Sequence, residues 1–569
     1  MNQLILFIKT SLKEISPHNN IRVLHTNVKY DILSGITVGI IALPLALAFG
    51  EVSQLGPEAG LWSAVVGGII GGLFGGCMVG VSGPTAPMAS QIAAFIGAFA
   101  IGTTNKPDLV AAFSIIFLSG LILVGISMLK ISKLIHFIPY SAIAGFMCGI
   151  GVIVILTQIN PFLGLEPERN ISGVFKNFYG LLDGINFQAL FISVPCLLTL
   201  LLWPKIQQRV SLLINVPAAL IALILGTLIA FFMNLDIPYI GDKMNSTSNS
   251  KIFNLYLPDL SRLGEFIGPA FLLAGLAVID SLLSCKVADN LSGIRHSSDR
   301  ETFGQGMANM ASGLLGGLST ATATTQTVAN VQFGALTPLA TITKGIVLLG
   351  VLLGLGPLVA TIPSACLAAI LFKVGFEILD YRILPVLRKI PFSDLIIFFI
   401  VLLITIFMDL MIAIAVGVIC SILISFKQVK HVLVSSNKHK NFHISEYDIS
   451  VDKNHKVKLK HLPVNILKVD GPLFFGSVEP LMRVYNSSSK YEKLIIDMDD
   501  VNMIDLSGAY AIEDIFKIER NNNKELYITN ADLETTSILK RLGVFKYIRE
   551  DNINKKTSEI IGNLLRKDM

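Results

Sequence analysis

Between residues 31 and 426 one apolar stretch follows another, each close to the length that crosses a bilayer. A helix rises about 1.5 Å per residue, so about twenty apolar residues span the hydrocarbon core. Candidate spans run at 32–49, 61–81, 109–129, 142–156, 187–203, 216–232 and 266–283, then at 305–318, 339–359, 366–376, 395–408 and 411–426. Two more, 84–99 and 324–337, are short and interrupted by Gly, Pro or Thr, and counting them gives about fourteen. In lipid only helices and closed barrels satisfy their own backbone. The expectation is therefore an α-helical polytopic membrane protein.

The charge pattern supports that reading and divides the chain. Only 15% of residues are charged, and they gather outside the apolar stretches. The expected domains are a cytosolic N-terminal segment at 1–30, a transmembrane domain at 31–426, a basic linker at 427–460 and a soluble domain at 461–569. Residues 4–8 are too short for the apolar part of a secretory signal. With the N-terminus inside, Lys130 and Lys133, Lys205 and Arg209, Lys286, Arg295 and Arg300, then Arg382, Arg388 and Lys389 all fall in inner loops, as basic loops should. Lys427, Lys430 and His431 follow the last span, so both termini are expected in the cytosol. The pattern holds only if the two short segments count as crossings or paired half-crossings. The sequon at Asn245 falls in an expected outer loop. The six cysteines lie in apolar segments without C-x-x-C spacing, and the nine histidines show no ligand spacing, so neither points to a metal site. The net charge of +5 is modest, and loop orientation accounts for much of it, so no nucleic-acid partner is expected.

A weak internal echo suggests how the spans are arranged. Ile138-Pro-Tyr-Ser-Ala resembles Ile362-Pro-Ser-Ala-Cys, and each precedes the fifth member of a set of seven spans. Two consecutive sets of seven must have opposite orientation, which makes an inverted repeat. The third member of each set is the short one: Gly80-Val-Ser-Gly-Pro-Thr-Ala-Pro-Met and Gly317-Leu-Ser-Thr-Ala-Thr-Ala-Thr-Thr-Gln-Thr. Unwound backbone at membrane depth survives where it lines a polar cavity. A half-helix that starts there aims unpaired N–H groups and about half a positive charge from its N-terminus. Two such ends facing one another make an anion site without a basic side chain. The alternative is a pair of kinked, continuous helices packed by small residues.

Asp280 stands inside Leu-Ala-Val-Ile-Asp-Ser-Leu-Leu-Ser, with Ser284 one turn further on. A charge at the bilayer centre costs about 2.5–3.5 kcal/mol, so this carboxylate needs a partner or a task. With nearby hydroxyl and carbonyl oxygens it suits a sodium ion or a proton relay. The alternative is a solvated carboxylate at the cytosolic end of its span, near Lys286. Asp409 falls between spans and reads as an outer turn, leaving Asp280 as the one membrane carboxylate.

Val81-Ser-Gly-Pro-Thr-Ala-Pro, Ile138-Pro-Tyr-Ser-Ala-Ile-Ala-Gly-Phe, Val287-Ala-Asp-Asn and Gly304-Gln-Gly-Met-Ala-Asn resemble the SulP family of anion transporters over nearly the whole chain. The resemblance implies a seven-plus-seven inverted repeat divided into core and gate domains, elevator-type alternating access and a homodimer. Sulfate, bicarbonate, chloride and some dicarboxylates are among the family's substrates. Ala42-Leu-Pro-Leu-Ala-Leu-Ala-Phe-Gly and Ile279-Asp-Ser-Leu-Leu-Ser are most similar to cyanobacterial sodium-dependent bicarbonate transporters of the BicA type. That implies sodium bound by Asp280 and Ser284 with Thr322 and Thr324, and the anion held between Thr85-Ala86 and Ala323-Thr324-Thr325. Many sulfate-transporting members carry Glu where Asp280 stands, and many relatives carry Arg where this chain has Gln326, which lowers the positive potential expected here. Sodium with bicarbonate is electroneutral, whereas sodium with sulfate drags a negative charge inward against about 2.3 kcal/mol per 100 mV. The expected function is sodium-coupled bicarbonate uptake. The alternatives are a proton- or sodium-coupled sulfate transporter, or an anion exchanger of the same family.

After the linker, strands at 464–469, 494–498 and 526–529 alternate with helices. This domain resembles the STAS domains of SulP transporters and of bacterial anti-sigma-factor antagonists. Asp505-Leu-Ser-Gly matches the loop phosphorylated in the antagonists, which makes Ser507 a candidate regulatory site with an unknown cytosolic partner. Two other classes compete. A nucleobase permease shares the helical plan but not the STAS-like tail, and a mere membrane anchor needs neither Asp280 nor broken helices. No nucleophile–base pair, phosphate loop or metal cluster points to an enzyme.

Overall fold

The computed structural model describes residues 16–98, 108–132, 139–165, 184–209, 216–242, 255–354, 356–379, 383–408, 439–446, 462–485 and 491–567, with scattered positions between 412 and 423. The sequon at Asn245 and most of the last expected span lie outside the described residues. The chain divides into two compact units: Met1–Ile135 with Ile150–Leu379, and His136–Gly149 with Asp380–Met569. Composition puts the membrane–soluble boundary at residue 426; the second unit includes, besides the soluble part, the apolar helical segments that contain Gly145 and Phe398.

The first unit is helical. Its elements are α1 (Val28–Val52), α2 (Pro57–Phe74), a two-residue strand β1 (Ser82–Gly83), α3 (Ala86–Ala98) and α4 (Leu109–Met128). The helix α5 (Tyr140–Phe162) runs from the second unit into the first, which continues with α6 (Phe187–Arg209) and α7 (Ala218–Met233). Next come α8 (Leu263–Ser292), α9 (Ser298–Leu314), β2 (Ala321–Thr322), α10 (Thr324–Gln332), α11 (Leu339–Gly354) and α12 (Ser364–Ile378). Six helices among the described residues are long and apolar enough to cross a membrane. Here packing depends on small residues, because lipid gives apolar side chains no reason to prefer one another. A Cβ on Gly120 of α4 would lie 2.6 Å from the Gly306 carbonyl of α9, so glycine is what allows these helices to touch backbone to backbone.

Several expected boundaries shift. The span read at 61–81 is a helix only to Phe74, and its middle, Gly67–Gly71, is π-helical. The span read at 305–318 begins instead at Ser298, taking in Asp299, Arg300 and Glu301. All three are buried, so Arg300 is no inner-loop charge; its guanidinium donates to the Ser16 carbonyl at 3.0 Å. Their polarity hid them, because a hydropathy reading assigns a Ser-Asp-Arg-Glu run to a loop.

The second unit contains the start of α5, the apolar helix α13 (Phe392–Phe407) and the soluble domain. Within the soluble domain, β3 (Lys440–His443) pairs antiparallel with β4 (Val464–Lys468). Three parallel neighbours follow: β5 (Lys493–Asp497), β6 (Glu525–Thr529) and β7 (Ile553–Lys555). The helices α14 (Phe475–Tyr485), α15 (Leu506–Asn521), α16 (Leu533–Arg541) and α17 (Thr557–Lys567) connect or flank them. The central strands read as near-continuous apolar runs because both faces are covered. The strand β3 corrects the expected linker of 427–460. Residues 440–443 belong to the sheet, and as a short polar edge strand they lack the apolar run that marks the others.

Two helix starts in this unit borrow caps from distant sequence. The Tyr140 N–H that opens α5 donates to the Ser507 hydroxyl at 3.0 Å. The Leu506 N–H that opens α15 donates to the Asp394 carboxylate in the first turn of α13, at 3.2 Å. Helix N-termini leave such donors unpaired unless a side chain accepts them. The Tyr140 and Tyr510 rings meet edge to face 4.7 Å apart. Asp505 completes the cluster, its carboxylate accepting from the Gly508 N–H at 2.7 Å and the Phe475 N–H at 3.1 Å.

Burial, and then the nearby Asp394 charge, push the Asp505 carboxyl up to about 8. In the unfolded chain it ionises near 4, so between those values the folded state binds more protons and stability falls as pH rises. Hydrogen exchange checks this. After correction for intrinsic rates, protection of the 505–510 amides should decline from about pH 5 to about pH 8 in wild type and stay flat in Asp505→Asn.

Candidate functional site

The two interrupted segments meet in the first unit. Ser82 pairs with Thr322 and Gly83 with Ala321, antiparallel, and the Ala323 N–H extends the ladder to the Val81 carbonyl at 2.9 Å. Each strand then turns directly into a helix, β1 into α3 at Ala86 and β2 into α10 at Thr324. The segments are therefore strand-then-helix breaks, not kinked continuous helices. A Cβ on Gly67 of α2 would lie 3.0 Å from the Gly83 Cα, so α2 can lie against β1 only as glycine.

Both helix starts are short of partners. The N-cap of α10 is Ala323, whose side chain accepts nothing. The first intrahelical acceptor is the Ala323 carbonyl, taken by the Thr327 N–H at 3.0 Å. Among the described hydrogen bonds, the N–H groups of Thr324, Thr325 and Gln326 have no partner, as the geometry of a helix start requires. In α3 the corresponding bond is Ala89 N–H to the Thr85 carbonyl, leaving Ala86 and Met88 as donors while Pro87 offers none. Thr85, Ala86 and Ala323 are buried, and Thr324 and Thr325 are exposed, so the start of α10 opens onto accessible space. Such ends attract anions.

The helix α8 runs on beyond the expected end at residue 283, to Ser292. Asp280 therefore lies well inside a helix, 9% exposed, and not at a solvated span end. Its carboxylate accepts from the Thr85 hydroxyl at 2.7 Å. One turn on, the Ser284 and Thr324 hydroxyl oxygens lie 2.6 Å apart. The Ser281 hydroxyl accepts from the Thr322 N–H at 3.1 Å. One face of α8 thus bonds to the start of both half-helices and to a strand. The oxygens of Asp280, Ser284 and Thr324 are the hard donors that sodium prefers.

Thr322 is placed differently from the other expected sodium ligands. Its hydroxyl donates to Glu301 and accepts from the Gln305 amide at 2.9 Å, which leaves its carbonyl oxygen as the atom it can offer. Glu301 is a buried carboxylate that sequence reading missed. Its other oxygen accepts the Gly76 and Cys77 N–H groups at 2.8 and 2.9 Å. The Gln305 amide also reaches the Ser82 hydroxyl at 2.6 Å, tying α9 to both strands. Asp31 is another buried carboxylate, accepting the Leu336 N–H at 2.9 Å and bonding the Thr337 hydroxyl. Asp280 is therefore not the sole carboxylate within these helices. A buried Lys344 was missed too, and it bonds the Ser82 carbonyl. The signal available was a charge inside an apolar stretch, the one that singled out Asp280. The remaining candidate, Ser507, lies in the second unit, where its hydroxyl is already the acceptor for Tyr140.

Glu301→Gln puts an amide donor against backbone and side-chain donors. Each buried bond lost in this way costs about 1–3 kcal/mol. The purified protein should unfold several degrees below wild type in a detergent melt, and an unchanged Tm would show that Glu301 does not brace the strands.

Family comparison covers both parts of the chain. A family model described as the sulfate permease family matches residues 28–401, and a STAS domain model matches residues 455–560. The "Bicarbonate transporter BicA" of Picosynechococcus sp. is 32% identical over 94% of each chain. "Sulfate transporter 1.2" of Arabidopsis thaliana is 23% identical over 88% of this chain and 80% of its own length. Among solved structures, the transmembrane domain of a cyanobacterial BicA covers 68% of this chain and 97% of its own, at 34% identity and a TM-score of 0.62.

Proposed function

Because the chain belongs to the sulfate permease family and carries a STAS domain, and is thus an anion transporter of the membrane, we propose that it imports bicarbonate together with sodium. The observation that carries this reading is the pair of bonds from α8, Asp280 to Thr85 and Ser284 to Thr324. They link a site fit for sodium to the starts of the two half-helices. Sodium is held by Asp280, Ser284 and Thr324 with the Thr322 carbonyl. Bicarbonate lies between Thr85-Ala86 and Ala323-Thr324-Thr325, held by backbone N–H groups. A sodium ion there neutralises Asp280, whose bare charge would repel an anion at the adjoining helix starts. That is a direct electrostatic reason for the two ions to bind together.

Bicarbonate is favoured over sulfate on two grounds. The BicA relatives are alike along nearly the whole chain. Gln326 adds no positive charge to the first turn of α10, so a dianion would be poorly compensated. Sulfate remains the second reading, supported by the sulfate transporters among the relatives. The same proposal includes two inverted sets of seven spans, elevator-type movement of a core domain against a gate domain, a homodimer, and both termini in the cytosol of a bacterial cell. It also includes a regulatory role for Ser507. Phosphorylation there must first break the bond to Tyr140 and then add about −1.5 to −2 charge beside Asp394 and Asp505.

Initial-rate uptake into proteoliposomes tests the substrate and coupling. Labelled bicarbonate should accumulate only with an inward sodium gradient. Asp280→Asn should lower the sodium-dependent rate at least about a hundredfold, the scale expected for an ion pair lost from a buried site. Sulfate accumulation in place of bicarbonate, or indifference to sodium, would refute the substrate and coupling assignments separately.

A further inference from the structure

Lys344 in α11 is fully buried, with 0% of its surface exposed. Its ammonium donates to two backbone carbonyls, Ser82 at 2.8 Å and Ala64 at 3.1 Å. No carboxylate accompanies it among the described ion pairs. Buried lysines are rare unless paired, and those at membrane depth mark function. Two backbone carbonyls aimed at the nitrogen favour its protonated form.

Its position relative to the helix starts gives the charge a task. Ser82 is in β1, and the ammonium lies 3.0 Å from where a Cβ on Gly83 would stand. Three residues further on, α3 begins at Ala86. β1 is bonded to β2, which leads into α10. The ammonium therefore lies against β1, on the backbone that leads into α3 and pairs with the strand leading into α10. A buried charge is poorly screened by solvent ions and acts over such distances. The helix ends supply only partial charges, and Gln326 supplies none.

We propose that Lys344 is the fixed positive charge of the anion site, setting anion affinity through the strand backbone without touching the anion. This rests on the reading of the site as an anion site, and identifies Lys344 as a residue that tunes affinity for a singly charged substrate. A second full charge at the anion contact is unnecessary for bicarbonate.

Three variants test it: Lys344→Gln, Lys344→Met, and the double variant Gln326→Arg with Lys344→Gln, which returns one cation to the first turn of α10. Uptake is measured with whichever of bicarbonate, sulfate and chloride the wild type accumulates fastest, so an error in the substrate does not disturb the comparison. Both neutral variants should raise the anion KM about tenfold with the maximal rate within about twofold, and the double variant should bring KM most of the way back. An unchanged KM would overturn the proposal, as would a lost maximal rate at unchanged KM. If the neutral variants yield no monodisperse protein, recovery of folded protein in the double variant supports the role of charge. Failure there too assigns Lys344 a purely structural part and overturns the proposal.

Discussion

Backbone that leaves the helix inside a membrane must find partners within the protein, and this requirement organises the first unit. Four residues of antiparallel pairing, Ser82–Gly83 with Ala321–Thr322, satisfy it. Around them gather Gln305 and Glu301 from α9, Ser281 from α8, Thr327 from α10 and Lys344 from α11. The glycines of α2 leave room for the strands. The helices that follow then begin with free donors in a place that would otherwise be lipid or packed side chains. The proposed anion site is thus a by-product of how the break is held together.

The broad plan was legible because apolar length is a strong signal and a bilayer tolerates few alternatives. The two breaks were legible as well, from Gly, Pro and Thr at matched places. Polar residues that the fold buries were harder to read. Ser298-Asp-Arg-Glu looks like a loop, but it opens α9, because Gly76 and Cys77 present N–H groups that Glu301 accepts. Lys344 sits among Thr and Ile, and a single charge in an apolar stretch says nothing of the carbonyls waiting for it. Thr322 was named as a sodium ligand without an atom; its hydroxyl is engaged by Glu301 and Gln305, and which way a side chain points along a two-residue strand cannot be read without its partner. The edge strand at 440–443 failed for a related reason: its pairing satisfies its backbone, and its side chains carry no pattern.

The proposed site combines opposed charges held apart. Asp280 faces Thr85, Glu301 faces Thr322 and Gln305, and Lys344 faces carbonyls. Each is satisfied by neutral groups instead of by another ion. An ion pair would have cancelled the fields that a transported cation and anion can use. Neutral hydrogen-bond partners keep each charge stable enough to bury yet available electrostatically.

The borrowed cap on α5 has a consequence for synthesis. Tyr140 and Ser507 stand 367 positions apart. At roughly 5–20 residues per second on the ribosome, the hydroxyl that completes this membrane helix emerges roughly 20–70 s after the helix itself. During that interval the start of α5 lacks the partner it has in the finished protein. The last domain to be made thereby closes off one of the earlier helices, and a chain released before residue 507 would carry an unfinished membrane domain as well as a missing tail.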